Sequence, residues 1–182
     1  MGKNSCSILL AVLIATSAMV PAQAADFLIR VQDLGTSFLI GRSGPVFTDF
    51  VDPDCPYCHQ EFRELRPLLL SGKLRLRIVP VAVLDADSLP RAATLLESRL
   101  PGETFLQAEA GFHDGHLALA RMQNVPPAIA AAVERNNQLL EDIDPYGEVP
   151  AILFEDRAAG KVASMIGEQP IAVIQRALMA AQ

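Results

Sequence analysis

The chain has 182 residues, with 15 Lys and Arg against 21 Asp and Glu, and a formal net charge of −6. An acidic chain without basic clusters argues against nucleic acid and anionic membranes as partners. The length suits one domain, so a second catalytic domain is excluded.

The first residues have the pattern of a secretory signal peptide. Lys3 supplies a positive charge, residues 8–20 form an apolar stretch of 13 residues, and a small-residue Ala-Gln-Ala sequence follows. We therefore predict a signal peptide over residues 1–24, cleaved between Ala24 and Ala25, and a periplasmic protein. The alternative, an uncleaved membrane anchor, would need about 20 apolar residues.

Cleavage would leave 158 residues with a net charge of −7, since Lys3 and no acid is removed. A domain of that size can bury roughly 70% of the surface that its unfolded chain exposes. Of the three cysteines, Cys55 and Cys58 would remain. A disulfide between residues so close together adds little stability, because it closes a very short loop. The pair is therefore predicted to be a redox reagent.

The predicted catalytic domain covers residues 25–182. Its lead, residues 25–44, contains two apolar patches that could add a strand or two to a sheet. In chain order, the further predicted elements are a strand over 46–51, a helix from 56 to about 70, a strand over 74–83, a helical region over 89–144, strands over 151–154 and 161–166, and a helix over 170–181. This order predicts an α/β, thioredoxin-like fold with a helical insertion, at about 88–145, between the second core strand and the C-terminal hairpin.

The motif Cys-Pro-Tyr-Cys at residues 55–58 lies between the first core strand and the first turn of the following helix. Residues three apart share one face of a helix, so the two sulfurs can form a disulfide. The free N–H groups and the dipole at a helix N-terminus stabilise a thiolate. Cys55 is thus predicted to be the exposed nucleophile, and Cys58 the shielded resolving thiol.

Three segments together resemble the periplasmic disulfide isomerases of the DsbC and DsbG type, and DsbG most. They are Phe-Val-Asp-Pro-Asp-Cys-Pro-Tyr-Cys-His at 50–59, the residues around Arg66-Pro67 and Ser71-Gly72-Lys73, and the region from Asn137 to Val149-Pro150-Ala151-Ile152. The resemblance covers about residues 46–181. It implies a thioredoxin-fold thiol–disulfide oxidoreductase in which the Pro150 peptide bond is cis and faces Cys55.

A cis X-Pro bond at that place would expose the backbone of Val149 as an edge with which a substrate chain can pair. We therefore expect Val149 and Pro150 to bind substrate, together with Pro56 and Tyr57 between the cysteines. The expected partners are extracytoplasmic proteins with cysteines and a membrane redox protein that recycles the pair. No cofactor and no metal is expected.

Three features depart from the isomerase pattern. Residues 25–44 are too few for the N-terminal dimerisation domain of those enzymes, so a monomer is predicted. Val149 stands where the isomerases usually have threonine. Asp49, six residues before Cys55, stands where thioredoxin has a buried acid and DsbG has none. A buried Asp49 would have a raised pKa and could exchange a proton with Cys58, whereas a solvated aspartate at the sheet edge is the alternative.

Two other uses of the cysteines stay open at this point. With His59, the motif reads Cys-x-x-Cys-His, the attachment signature of a c-type haem in an electron carrier. A zinc site could combine Cys55 and Cys58 with His113 and His116. The haem alternative explains neither the strand before the motif nor the later Val-Pro, and His113 and His116 fit a loop of the helical region as well as a zinc site. Whether the exchange runs as oxidation, reduction or isomerisation does not follow from the sequence.

Overall fold

The structure is a computed structural model that describes residues 21–182, with side chains from residue 28. Its elements are α1 (Pro21–Leu34), β1 (Phe38–Ile40), β2 (Val46–Val51), α2 (Pro56–Leu70), β3 (Arg75–Pro80), α3 (Ser88–Leu96), α4 (Pro101–Ala110), α5 (Pro127–Glu141), β4 (Ala151–Asp156), β5 (Lys161–Ile166) and α6 (Ile171–Ala180). The predicted signal peptide lies outside the described residues up to residue 20. The predicted cleavage point falls within α1, and it stays a prediction.

The five strands form one sheet in the order β1-β3-β2-β4-β5. Strands β2 and β3 are parallel, while β1 pairs antiparallel with β3, β4 with β2, and β5 with β4. The parallel pair is joined by α2, as a crossover connection requires. Helices α3, α4 and α5 lie between β3 and the β4–β5 hairpin, and the predicted thioredoxin-like α/β fold is confirmed.

Both faces of the sheet are covered. Successive side chains of β2 point to opposite sides, so each face has its own apolar core. Phe47 and Val51 pack on one side in a core with Leu65 of α2 and Ile174 of α6. Phe50 packs on the other side in a core that includes Val31 of α1 and Leu140 of α5. Asp49 shares the parity of Phe47 and Val51, so it lies on the face that α2 covers.

The N-terminal segment, residues 25–44, differs from the prediction in one element. Residues 38–40 form β1, but the apolar patch around Val31 belongs to α1 and not to a strand. Val31 is fully buried in the core that contains Phe50, while Ile29 and Leu34 are exposed. A helix satisfies its backbone hydrogen bonds internally, so this segment covers the sheet without pairing with it.

Strand β3 ends at Pro80, three residues earlier than predicted. The Val81 N–H still donates to the Val51 carbonyl at 3.0 Å, but from Ala82 onward the backbone N–H groups find side-chain partners. The Asn136 side chain donates to the Pro80 carbonyl, and the Ala82 N–H donates to the Asn137 side chain.

Within residues 21–182, each helix is too short or too polar to span a lipid bilayer.

Candidate active site at the N-terminus of helix α2

Cys55 caps the N-terminus of α2. Its backbone is extended, Pro56 occupies the first helical position, and the Cys55 Sγ accepts a hydrogen bond from the Cys58 N–H at 3.0 Å. The pKa of the Cys55 thiol is lowered, chiefly by the hydrogen bond from the Cys58 thiol and also by the N–H groups of residues 57 and 58. Cys55 is therefore the thiol that ionises more readily.

Cys58 lies one turn further along α2, under the first turn of the helix. Burial raises its pKa well above the ordinary value, and the neighbouring Cys55 and Asp49 add to that effect. Both thiols are free. The opposite pKa shifts suit a pair in which Cys55 attacks and Cys58 acts only after a nearby base has taken its proton.

The expectation that Cys55 is exposed is wrong for this structure. Its exposed fraction is 3%, against 4% for Cys58. The side chain turns back to cap α2, and its Sγ lies 3.8 Å from the carbonyl oxygen of Val149. The segment before β4 thus covers the sulfur, a long-range contact that the local motif does not reveal.

The Val149-Pro150 peptide bond is cis, as the resemblance implied. Pro150 precedes β4, and its carbonyl accepts a hydrogen bond from the Gly167 N–H at 2.8 Å, just after β5. The backbone of residue 149 is thereby held beside the Cys55 sulfur.

A groove of about 470 Å³ opens next to the two cysteines. Two exposed aromatic rings line this groove: Tyr57 is 59% exposed and Tyr146 is 88% exposed. Of the residues that line the groove, Tyr57 and Val149 were predicted from the sequence. The other lining residues were not predicted: Val83, Leu84, Tyr146, Gly147, Glu148, Gly167 and Glu168. A chain bound along residue 149 would contact these side chains.

Two acids in the turn before α2 are held by neighbouring donors, although Oδ2 of Asp54 has no hydrogen-bond partner among the described residues. Asp52 accepts hydrogen bonds from the N–H groups of Asp54, Val83 and Leu84, at 2.9, 2.8 and 3.1 Å. Asp54 forms a buried ion pair with Arg91 of α3. Burial raises the pKa of both acids, and the Arg91 charge offsets part of this for Asp54. These acids anchor the active-site turn to the inserted helices.

Asp49 is buried at the centre of the sheet, with an exposed fraction of 3%. On β2 it pairs with Ile78 of β3 on one side and Ile152 of β4 on the other. Its Oδ1 has no hydrogen-bond partner among the described residues. Burial raises the pKa of Asp49 to about 7, so near neutral pH it can both accept and release a proton.

Two further buried acids, which the sequence analysis missed, share this interior. Glu61 lies one turn after Cys58 on α2, and Glu109 lies one turn after Phe105 on α4. Burial, reinforced by the charge on Asp49, raises the pKa of each to about 9. Their positions on the buried faces of their helices were the available signal, but a glutamate in such a stripe is usually assigned to solvent.

The alternative zinc site does not assemble in the part of the chain that the structure describes, where no three His, Cys, Asp or Glu side chains are grouped to hold a metal ion. His113 and His116 face each other in a small loop, with ring centroids 5.0 Å apart. His59 is hydrogen-bonded to Glu109 through Nδ1 at 2.6 Å.

No protein-family model matches the chain. It is 36% identical over 105 residues to the thiol:disulfide interchange protein DsbG of Escherichia coli (strain K12), covering 58% of this chain and 41% of that protein. It is 30% identical over 110 residues to DsbG of Pseudomonas aeruginosa, covering 58% and 40%. The chain thus spans about two fifths of the length of these curated relatives.

A solved structure with the same fold is a periplasmic thioredoxin-like protein from Salmonella enterica serovar Typhimurium. It superimposes with a TM-score of 0.67 at 16% identity, over 84% of this chain and 94% of that one. At this identity the likeness shows the fold alone. The chain therefore shares a thioredoxin-like fold with this structure and is similar in sequence, over 58% of its length, to the two DsbG proteins.

Proposed function

We propose that this protein is an extracytoplasmic thiol–disulfide oxidoreductase that exchanges disulfides with protein substrates. The observation that carries the proposal is the Cys55 sulfur, which caps α2 and lies 3.8 Å from the Val149 carbonyl beside a cis proline. One sulfur is thus activated at a helix terminus and set next to a backbone edge. A redox pair at such a place needs both features to react with a peptide chain.

The reaction proceeds through a mixed disulfide. The Cys55 thiolate attacks one sulfur of a substrate disulfide, and the other substrate sulfur leaves as a thiolate. Cys58 then loses its proton to Asp49 and attacks Cys55. The Cys55–substrate bond breaks, the second substrate sulfur leaves, and the enzyme ends as a Cys55–Cys58 disulfide. The substrate gains two electrons; run backwards, the same steps oxidise a substrate dithiol.

The substrate chain binds along the groove as an added strand. The backbone of Val149 provides the hydrogen-bonding edge, Pro150 holds it in place, and Pro56 and Tyr57 contact the residues beside the substrate sulfur. The open rings of Tyr57 and Tyr146 favour a substrate segment with apolar side chains, since burying exposed aromatic surface stabilises the complex.

The protein works in the periplasm after cleavage between Ala24 and Ala25, and a membrane redox protein recycles its cysteines. It acts as a monomer that performs single exchange steps. Light scattering at micromolar concentration tests the monomer, and N-terminal sequencing of the exported protein tests the cleavage point. The reduction potential, with the redox state of the pair in the cell, determines the net direction.

The decisive experiment uses two matched variants expressed in the periplasm. Cys58→Ser should accumulate mixed disulfides with substrate proteins, because Cys55 still attacks and no thiol resolves the intermediate. Cys55→Ser should trap nothing. Non-reducing gels followed by reduction separate the two results. Trapping by the Cys55 variant alone would reverse the roles, and trapping by neither would contradict the proposed exchange.

A further inference from the structure

Three buried carboxyl groups surround the interior side of the redox pair, more than proton transfer from one thiol requires. Asp49, Glu61 and Glu109 each have one oxygen that is buried and lacks a hydrogen-bond partner among the described residues. The three groups come from β2, α2 and α4. Each glutamate lies within electrostatic reach of Asp49 and Cys55, because the charges of both raise its pKa.

Glu109 differs from the other two in its second oxygen. Its Oε2 lies 2.6 Å from Nδ1 of His59, the one hydrogen bond from this cluster to a titratable ring within residues 28–182. The Glu109 side chain is 2% exposed and the His59 side chain is 20% exposed. The pair therefore connects a buried carboxyl group with a ring that reaches the protein surface.

The His59 ring is held in place. It stacks on Phe112 with ring centroids 3.9 Å apart and an angle of 1° between the planes. It also borders a surface cavity of about 340 Å³. A proton that leaves the ring on this side enters water.

The charge state of the pair suits a relay. Burial raises the pKa of Glu109 to about 9, and burial together with the Arg63 charge lowers the pKa of His59. At neutral pH the Glu109 carboxyl therefore donates to the His59 ring. If the proton instead moves to the ring, the pair becomes an ion pair with the same net charge of zero.

We propose that Glu109 and His59 form a proton exit from the interior of the active site to solvent. This role rests on the proposed thiol–disulfide exchange and adds to it. Both are positioning residues, since neither touches the substrate. They take from Asp49 the proton that it carries near neutral pH, so that Asp49 is free to accept the Cys58 proton.

The proton balance is simple. Asp49 receives the Cys58 proton when Cys58 attacks, and no electrons pass through the carboxyl groups. Asp49 Oδ1 and Glu109 Oε1 have no hydrogen-bond partner among the described residues, so the proton of Asp49 reaches Oε1 through an intervening water, while Oε2 gives its own proton to Nδ1 of His59. The ring, which then holds protons on both nitrogens, releases the Nδ1 proton to water when its contact with Glu109 opens. Rotation of the Glu109 carboxyl group turns its new proton toward Nδ1 and completes the cycle.

The other groups near the exit do not offer the same route. Glu61 shares the interior, but among the described residues it has no hydrogen bond to a histidine. Besides burial and the charges of Asp49 and Cys55, the charge of Glu168 raises its pKa, so its further neighbour is another acid. Arg63 and Arg66 border the same surface cavity as His59. The Arg63 charge adds to the effect of burial in lowering the pKa of the ring, and guanidinium groups stay protonated in proteins, so neither arginine carries protons.

The test follows both thiols in one reaction. Reduced protein is mixed with Ellman's reagent in a stopped-flow instrument at low buffer concentration. Attack by Cys55 releases the first equivalent of thionitrobenzoate, and resolution by Cys58 releases the second. For Glu109→Gln and His59→Ala, we expect the second phase to slow at least about tenfold at neutral pH, with the first phase nearly unchanged.

Rescue separates a relay from a merely structural role. Added imidazole can enter the space left in His59→Ala and should restore its second phase, but it should not restore Glu109→Gln, where the inner step is missing. His59→Phe keeps the stacking on Phe112 and should be as slow as His59→Ala. Glu103→Gln, at an exposed position of α4, is the control and should match wild type.

Second phases at the wild-type rate in Glu109→Gln and His59→Phe from about pH 6 to about pH 9 would overturn the proton exit. An imidazole effect equal in both slow variants would overturn it as well. A wild-type protein that releases no second equivalent would instead contradict the exchange function itself. The two failures are therefore distinguishable.

Discussion

Two groups of acids lie near the redox pair, and they differ in the donors that hold them. In the turn before α2, Asp52 accepts three backbone hydrogen bonds, and one oxygen of Asp54 pairs with Arg91 while its Oδ2 has no partner among the described residues. In the second group each acid also has an oxygen without a partner, but among the described residues no backbone N–H and no arginine holds its other oxygen: Asp49, Glu61 and Glu109. Both groups are buried, so burial alone does not separate their roles.

The difference teaches that partners decide what a buried acid does. A carboxylate with fixed donors is held in its charged form and stabilises the loop around it. A carboxyl group without such donors keeps its proton to a higher pH, and it can exchange that proton near neutrality. The turn acids are therefore structural, while the acids of the second group can support proton transfer. Four predictions test this contrast.

The largest effect is expected from breaking the buried pair in the turn. Arg91→Met leaves Asp54 buried without its cation, which should lower the free energy of unfolding by about 3–5 kcal/mol. Urea denaturation measures it. Arg121→Met is the matched control, because Arg121 binds Asp87 at 2.8 Å in an exposed ion pair and should cost at most about 1 kcal/mol. Equal losses in the two variants would contradict a structural role for the Asp54 pair.

The second effect is a pH dependence of stability. The pKa of Glu61 is raised from 4.5 to about 9 on folding, so between these values the native state binds more protons than the unfolded state. Its contribution to stability is complete below the lower value and is lost as the pH rises through the upper one. Each pH unit of that interval lowers the free energy of unfolding by up to about 1.4 kcal/mol.

Glu61→Gln removes this dependence. Relative to wild type, the variant should gain about 3 kcal/mol of stability from about pH 6 to about pH 8, as measured by urea denaturation at each pH. Glu64→Gln, on the exposed side of α2, should show no such trend. A constant difference between Glu61→Gln and wild type would mean that Glu61 is ionised in the folded protein.

A third prediction removes the acceptor in the turn. Asp52→Ala leaves the N–H groups of Val83 and Leu84 without their partner, and a loss of about 2 kcal/mol is expected. Thermal or urea unfolding measures it. Asp85→Ala removes an exposed acceptor for two N–H groups nearby and should cost about 1 kcal/mol or less. The reverse order would show that Asp52 does not anchor the turn.

The smallest effect in free energy is kinetic. Asp49→Asn should slow resolution by Cys58 about tenfold at neutral pH, or about 1.4 kcal/mol in the barrier, because the amide cannot take the proton. In wild type the resolution rate should rise as Asp49 ionises, through about pH 7, and the variant should lose that rise. The Cys55 titration, followed by thiolate absorbance, should change much less. Equal resolution rates at every pH would exclude Asp49 as the base.

Local signals in the sequence were enough for the fold and for the position of the two cysteines at the start of α2. The motif at residues 55–58 follows an apolar strand and begins a helix with Pro56. Residues so close along the chain have relative positions that their local secondary structure determines. The order of elements then determined the thioredoxin-like class. Val149-Pro150 was found through its spacing to the motif, and its cis bond was implied by the family resemblance.

Other features depended on packing between distant segments. The sequence could not decide that Asp49 lies between Ile78 and Ile152 in the sheet, since its burial is set by pairing with two other strands. It also gave the wrong exposure for Cys55, which the segment around Val149, 94 residues away, covers. The apolar patch at Val31 became part of a helix because it covers a sheet face and does not extend the sheet.

The sequence by itself determined that two thiols lie one helical turn apart, which is the spacing that the proposed disulfide exchange needs. Only the tertiary structure decided where their protons can go. Glu109 and His59 are 50 residues apart, and each is unremarkable in its own helix until α4 packs on α2 and brings them to 2.6 Å. Removal of water from that contact raises the pKa of the carboxyl group, a change that depends on every element packed around it.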